Sequence, residues 1–174
     1  LDNQELHCNK NNIFTLKKMI KMESNLSRII MKKWTVFVAL FVMTFGYSQN
    51  WKTNFEETKQ QASKENKNIL LVFSGSDWCA PCIKLDIIVW KSEAFKTEAE
   101  KYWVIYKADF PKKKANQLSP ELTESNNKLA DKYNKNGSFP LVILLDKTGK
   151  VLGMTGFKNI SAPDYIQLIH SLEK

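Results

Sequence analysis

The stretch Ile69-Leu70-Leu71-Val72-Phe73-Ser74-Gly75-Ser76-Asp77-Trp78-Cys79-Ala80-Pro81-Cys82 decides how this chain folds. Its first five residues are a continuous apolar run, which predicts a strand buried on both faces. Ser74 to Asp77 read as a loop. A helix is predicted from near Cys79, with Pro81 in its first turn, where a missing N–H costs little. Two thiols thus stand three positions apart at a strand-to-helix junction, a spacing suited to cycling between dithiol and disulfide. As a structural staple the pair closes too small a loop to restrict the unfolded chain much. The third and last cysteine, Cys8, lies in a segment expected to stay outside the folded domain.

On the N-terminal side of the strand, Trp51, Phe55, Thr58 and Ala62 recur at helical spacing over Trp51–Glu65. On the other side the helix is expected to run, with a break around Lys91-Ser92, to about Lys101. Tyr102–Asp109 is rich in aromatic and β-branched residues and reads as a strand. Phe110–Leu118 is a Lys-rich connection. Ser119-Pro120-Glu121 supplies an N-cap, a first-turn proline and a first-turn acid for a helix through Leu129 and Tyr133, ending at Asn136-Gly137. Phe139–Leu145 and Lys150–Gly156 flank the turn Asp146–Gly149 as a hairpin. Ser161-Ala162-Pro163-Asp164 resembles a capping box opening a last helix that shows Ile166, Ile169 and Leu172 on one face. After the N-terminal helix the order is β-α-β-α-β-β-α, an α/β domain over about residues 49–174. The two crossovers favour parallel pairing of the first strands, and the closing hairpin is antiparallel.

The segment before this domain reads differently. Lys32 and Lys33 precede an uncharged, mostly apolar stretch of 12 residues, Trp34–Phe45, and Gly46 and Ser48 set small residues before Gln49. That is the build of a secretory signal peptide over residues 31–48. The stretch is short of the ~20 apolar residues of a membrane span, so a membrane attachment is expected only through an uncleaved leader. Residues 1–30 then read as an upstream extension from a start assigned too early, with translation beginning at Met31. Export implies an oxidising compartment; the resemblance drawn below makes that the periplasm of a bacterium.

The charge also splits. Seven of 26 Lys/Arg and three of 18 Asp/Glu fall in residues 1–48, leaving 19 and 15, so the formal +8 shrinks to +4 for the domain. Lys112-Lys113-Lys114 reads as a solvated loop, and no interleaving of aromatic with basic residues points to nucleic acid. One Cys pair supplies two ligands where structural zinc wants four, and His170 is the domain's sole histidine. Haem attachment would need a histidine after Cys82, where Ile83 stands. No metal or other cofactor is expected.

Trp78-Cys79-Ala80-Pro81-Cys82, followed 60 residues after Cys79 by Phe139-Pro140 at the head of a strand and then by a hairpin, resembles the thioredoxin family over roughly residues 51–174. Phe73–Cys79 looks most like exported bacterial thioredoxin-like proteins. The resemblance implies a thioredoxin fold: a central mixed sheet, helices on both faces, and here an added N-terminal helix. It makes Cys79 and Cys82 the catalytic pair. Cys79 is expected at the helix N-terminus with its sulfur exposed, where unpaired N–H groups and the helix dipole favour the thiolate nucleophile. Each unit of pKa depression there represents about 1.4 kcal/mol. Cys82, one turn further in, would resolve the mixed disulfide. Ala80 and Pro81 would tune the balance of dithiol and disulfide.

Trp78 reads either as core filler or, by the resemblance, as rim of a substrate groove. Pro140 reads as a proline tolerated at a strand start, or, by the resemblance, as the second residue of a cis Phe139–Pro140 bond, with the Phe139 backbone pairing to substrate. The family's buried acid beneath the dithiol is missing: Val72 or Phe73 stands there. Asp77 reads as an exposed loop residue, Lys107 matches a family lysine near that acid, and Ala80 replaces the more usual Gly. The expected activity is thiol–disulfide exchange on protein substrates, foremost as a reductase supplied with electrons by a redox partner. Isomerase or oxidase action, and a non-catalytic binding module, stand as alternatives.

Overall fold

Strand β1 (Asn68–Ser74) is the axis of the sheet, and apart from Asn68 every residue in it is buried, as its unbroken apolar run requires. The computed structural model describes residues 51–173 together with Lys18 and Lys21. The chain divides into two units, Leu1–Tyr47 and Ser48–Lys174. Apart from Lys18 and Lys21, residues 1–30, Cys8 among them, lie outside the described residues, as do residues 31–48, and so do the readings made of them. Among the described residues no helix is long and apolar enough to cross a membrane.

Within the second unit, α1 (Phe55–Glu65) is followed by β1 and then by α2 (Ala80–Leu85), which continues through a π-helical turn, Asp86–Trp90. The chain breaks at Lys91-Ser92, where Ser92 caps α3 (Glu93–Tyr102) by accepting from Phe95 N–H at 3.1 Å. Strand β2 (Trp103–Asp109), α4 (Pro120–Tyr133), β3 (Leu141–Leu145), β4 (Val151–Gly156) and α5 (Ala162–His170) complete the order. The caps foreseen at Ser119 and Ser161 are made, by Leu122 N–H and Asp164 N–H. Helix α1 starts at Phe55, four residues later than its periodicity suggested, because Asn54 caps it through Glu56 and Glu57 N–H. Trp51 instead meets Trp90 edge-on at 6.1 Å, and Lys52 bridges to β2 at Tyr106.

The sheet order is β2-β1-β3-β4. β1 and β2 are parallel, with Ser74 opposite Asp109. The second crossover does not continue that direction: β3 runs antiparallel to β1, with Leu141 opposite Phe73. The reason is in the register. The connection leaves β2 at the edge where β1 ends and returns β3 to that same edge, so β3 can only run back. β4 closes the expected hairpin, Leu141 opposite Gly156.

Two cores form, one on each sheet face. One joins Leu70, Val72, Leu85, Trp90, Phe95, Trp103 and Tyr165; the other joins Phe55, Leu71, Phe73, Tyr106, Leu129 and Ile143. Alternate residues of β1 serve opposite faces, as strand geometry demands. The C-terminal ends of β1 and β2 and the start of β3 thus converge on one rim of the sheet.

Candidate active site

Cys79 and Cys82 sit on that rim and are joined, with sulfurs 2.05 Å and Cα atoms 5.2 Å apart. Cys79 is the N-cap of α2: its backbone is extended and its sulfur accepts the Cys82 N–H at 3.3 Å. The helix has no acidic residue in its first turn, so nothing there offsets the positive end of its dipole. The expectation of an exposed Cys79 sulfur is corrected. In the disulfide Cys79 is 5 % exposed and Cys82 3 %. Both cysteines are buried at the first turn of the helix, while Ala80 and Pro81 take the exposed positions.

Trp78 stands at the rim, 39 % exposed. Its indole N–H donates to the Phe110 carbonyl at 2.7 Å, and its ring lies against Gly75. A β-carbon at position 75 would fall 2.4 Å from the ring, so the loop needs glycine there for Trp78 to lie flat. The Phe139–Pro140 bond is cis. The Phe139 ring meets Trp78 edge-on at 5.5 Å and Phe110 at 5.4 Å, which sets the cis bond beside the dithiol loop. Phe139 precedes the β3–β4 ladder, whose first pair is Leu141 with Gly156.

Asp77, read from the sequence as a plain loop residue, is a clamp. Its carboxylate accepts from Lys112 N–H and Lys113 N–H, each at 2.9 Å, and from the Asn116 side-chain amide at 3.0 Å. The Lys112 backbone N–H foremost holds its carboxyl below the ordinary aspartate value. A carboxyl lowered in the folded state contributes stability above its unfolded pKa and loses it as pH falls through the folded one. The Asp77→Asn variant should therefore melt below wild type at pH 6, with the gap closing below about pH 4, where the ordinary aspartate is protonated. A gap unchanged with pH in melting curves would count against the clamp. Short polar loops such as Ser-Gly-Ser-Asp carry some signal for such side-chain-to-backbone bonds, but the acceptor's partners are more than 30 residues away. Lys112, read from the sequence as part of a solvated loop, supplies a backbone N–H to this clamp, and Gly75 and Phe110 carry no such signal of their own.

Among the described residues the site has no buried acid. Val72 and Phe73 fill that position, and the buried polar residues described are Thr58, Ser74, Asn126 and Asn134. Lys107 lies opposite Val72, with its ammonium 5.5 Å from the Trp51 ring centre. His170 lies away from the thiols, between Glu98 and Glu173. Among the described residues no group of three or more His, Cys, Asp and Glu is placed to hold a metal.

A disulfide between closely spaced cysteines at a helix N-terminus, flanked by a tryptophan and a cis-proline on a mixed sheet, defines a thiol–disulfide oxidoreductase. The family model for the thioredoxin-like domain matches residues 55–172, well over half of the chain. The Disulfide bond reductase DsbH of Chlamydia pneumoniae is 32% identical over 124 residues, covering 71% of this chain and 72% of that protein. The chain belongs to the thioredoxin-like family. A solved structure of a DsbH oxidoreductase superposes with a TM-score of 0.67 at 30% identity, over 72% of this chain and 85% of the other. The fold alone is shared with a disulphide isomerase from Xylella fastidiosa Temecula1, which has a TM-score of 0.53 and 17% identity over 76% of this chain and 99% of that one.

Proposed function

We propose that this chain is exported and reduces protein disulfides in the cell envelope, with Cys79 as attacking thiolate and Cys82 as resolving thiol. The observation that carries the reading is the Cys79–Cys82 disulfide at the uncompensated N-terminus of α2. The likeness to a named disulfide bond reductase supports the direction.

In the proposed cycle the dithiol form attacks a substrate disulfide through Cys79. One substrate sulfur leaves as thiolate, and a mixed disulfide remains. Cys82, held one turn away, then attacks the Cys79 sulfur and releases the second substrate thiol, leaving the closed pair. Trp78, Ala80, Pro81, Phe139 and Pro140 form the groove that receives the substrate chain. A redox partner must return two electrons. Export rests on the Lys32-Lys33 pair, the apolar Trp34–Phe45 and the small residues before Gln49.

The test is the reduction potential of the Cys79–Cys82 couple, measured against glutathione or thioredoxin standards. A value near −270 mV is expected for a reductant, and one near −120 mV, typical of an oxidant, would overturn the direction.

A further inference from the structure

Asn134 ends α4 and is only 4 % exposed, while residues 135–138 after it are all exposed. Its backbone N–H donates to the Ala130 carbonyl at 2.8 Å, and its own carbonyl accepts the Gly137 N–H at 2.9 Å. Its side-chain amide then grips Ser138 twice. Oδ1 accepts the Ser138 N–H at 2.8 Å, and Nδ2 donates to the Ser138 carbonyl at 2.9 Å. One buried amide thus holds both backbone polar groups of an exposed residue, as a neighbouring strand would. The tip of the loop stands clear of the protein: a β-carbon on Gly137, at φ +62°, would meet no atom within 4 Å beyond its chain neighbours.

Ser138 leads directly into Phe139, whose ring meets Trp78. The Ser138 carbonyl and the Phe139 N–H belong to one planar trans peptide, so they point in opposite directions. Drawing that carbonyl in to Asn134 therefore turns the Phe139 N–H outward. Among the described residues none accepts from that N–H.

We infer that Asn134 is a positioning residue: by fixing the Ser138 backbone it aims the Phe139 N–H at a carbonyl of the substrate chain. The inference rests on the reductase reading and adds to it a residue outside the dithiol loop. Asn134 acts on the seating of an extended chain and leaves the exchange at sulfur untouched.

The experiment gives the pre-reduced protein two disulfides with the same leaving group. One is bis(2-hydroxyethyl) disulfide. The other is a short alanine-based peptide whose central cysteine is a mixed disulfide with 2-mercaptoethanol. Cys79 attacks, 2-mercaptoethanol leaves as thiolate, and Cys82 displaces the remaining thiol, so one dithiol is oxidised for each disulfide reduced. Rates are read as the ratio of peptide to small disulfide within each variant, so that losses of folded protein cancel. Asn134→Ala is expected to lower that ratio about tenfold, as the loss of one hydrogen bond to substrate predicts. Asn134→Asp keeps an acceptor for the Ser138 N–H but repels the Ser138 carbonyl, and it should lower the ratio as well. Where Asn134→Ala does not fold, Asn134→Asp carries the comparison. Leu129→Ala, a cut into the core on the same helix, should lower the melting temperature and leave the ratio unchanged. An unchanged ratio in the Asn134 variants, an equal fall in Leu129→Ala, or failure of both Asn134 variants to fold by circular dichroism would overturn the inference and leave the reductase reading standing. No reduction of either disulfide by the wild type would overturn both.

Discussion

Cys79→Ser lowers protein-disulfide reduction to the uncatalysed background, and Cys82→Ser stops the cycle halfway, with substrate bound covalently to Cys79. The two expected results differ because the thiols do different work. Cys79 is the N-cap, and its sulfur already accepts a helix N–H at 3.3 Å. That contact and the helix dipole stabilise negative charge on sulfur, and the thiolate is the form that attacks. Serine accepts the same N–H but does not ionise near neutral pH, so the loss falls on the chemical step and leaves the helix capped. Cys82 sits one turn in, with little solvent contact. Its removal leaves the first exchange possible and the second without a nucleophile. An insulin reduction assay reads the first effect, and mass spectrometry of the trapped adduct reads the second. Wild-type turnover by Cys79→Ser would eliminate the assignment, and no turnover by the wild type itself would favour a binding module.

Phe95→Ala produces the other large effect, a loss of about 3–5 kcal/mol of stability. Phe95 is fully buried at the start of α3. Its ring packs on Trp90 at 4.6 Å and stacks with Trp103 at 6.0 Å, joining the end of the redox helix to β2. Removing it opens a cavity between two indoles too rigid to close it. Ile87→Ala, by contrast, is expected to change stability by less than about 0.5 kcal/mol. Ile87 is 62 % exposed on the π-helical turn Asp86–Trp90, before the Lys91-Ser92 break. Denaturant melts of both variants test the contrast, and equal losses would contradict the packing described.

Much of this was legible because it is local. The apolar run 69–73, the Ser-Pro start of α4, the Lys91-Ser92 break and the Asp146–Gly149 turn each carry their own short-range signal. The dithiol was legible for the same reason. What escaped depends on residues distant in sequence. The reversal of β3 follows from where a 31-residue connection returns, which no local pattern encodes. The role of Asp77 needs Lys112 and Asn116 brought to it. The low exposure of Cys79 depends on the packing around the rim, and the resting place of the Trp78 ring on the missing side chain of Gly75.

The convergence of three strand ends on one rim divides the domain into a working pole and an idle one. The hairpin turn at Lys147-Thr148 and the opening residues of β1 and β2 occupy the idle pole. Its exposed tip is where a dye, an affinity handle or a surface tether can be joined while the thiols stay free to meet large clients.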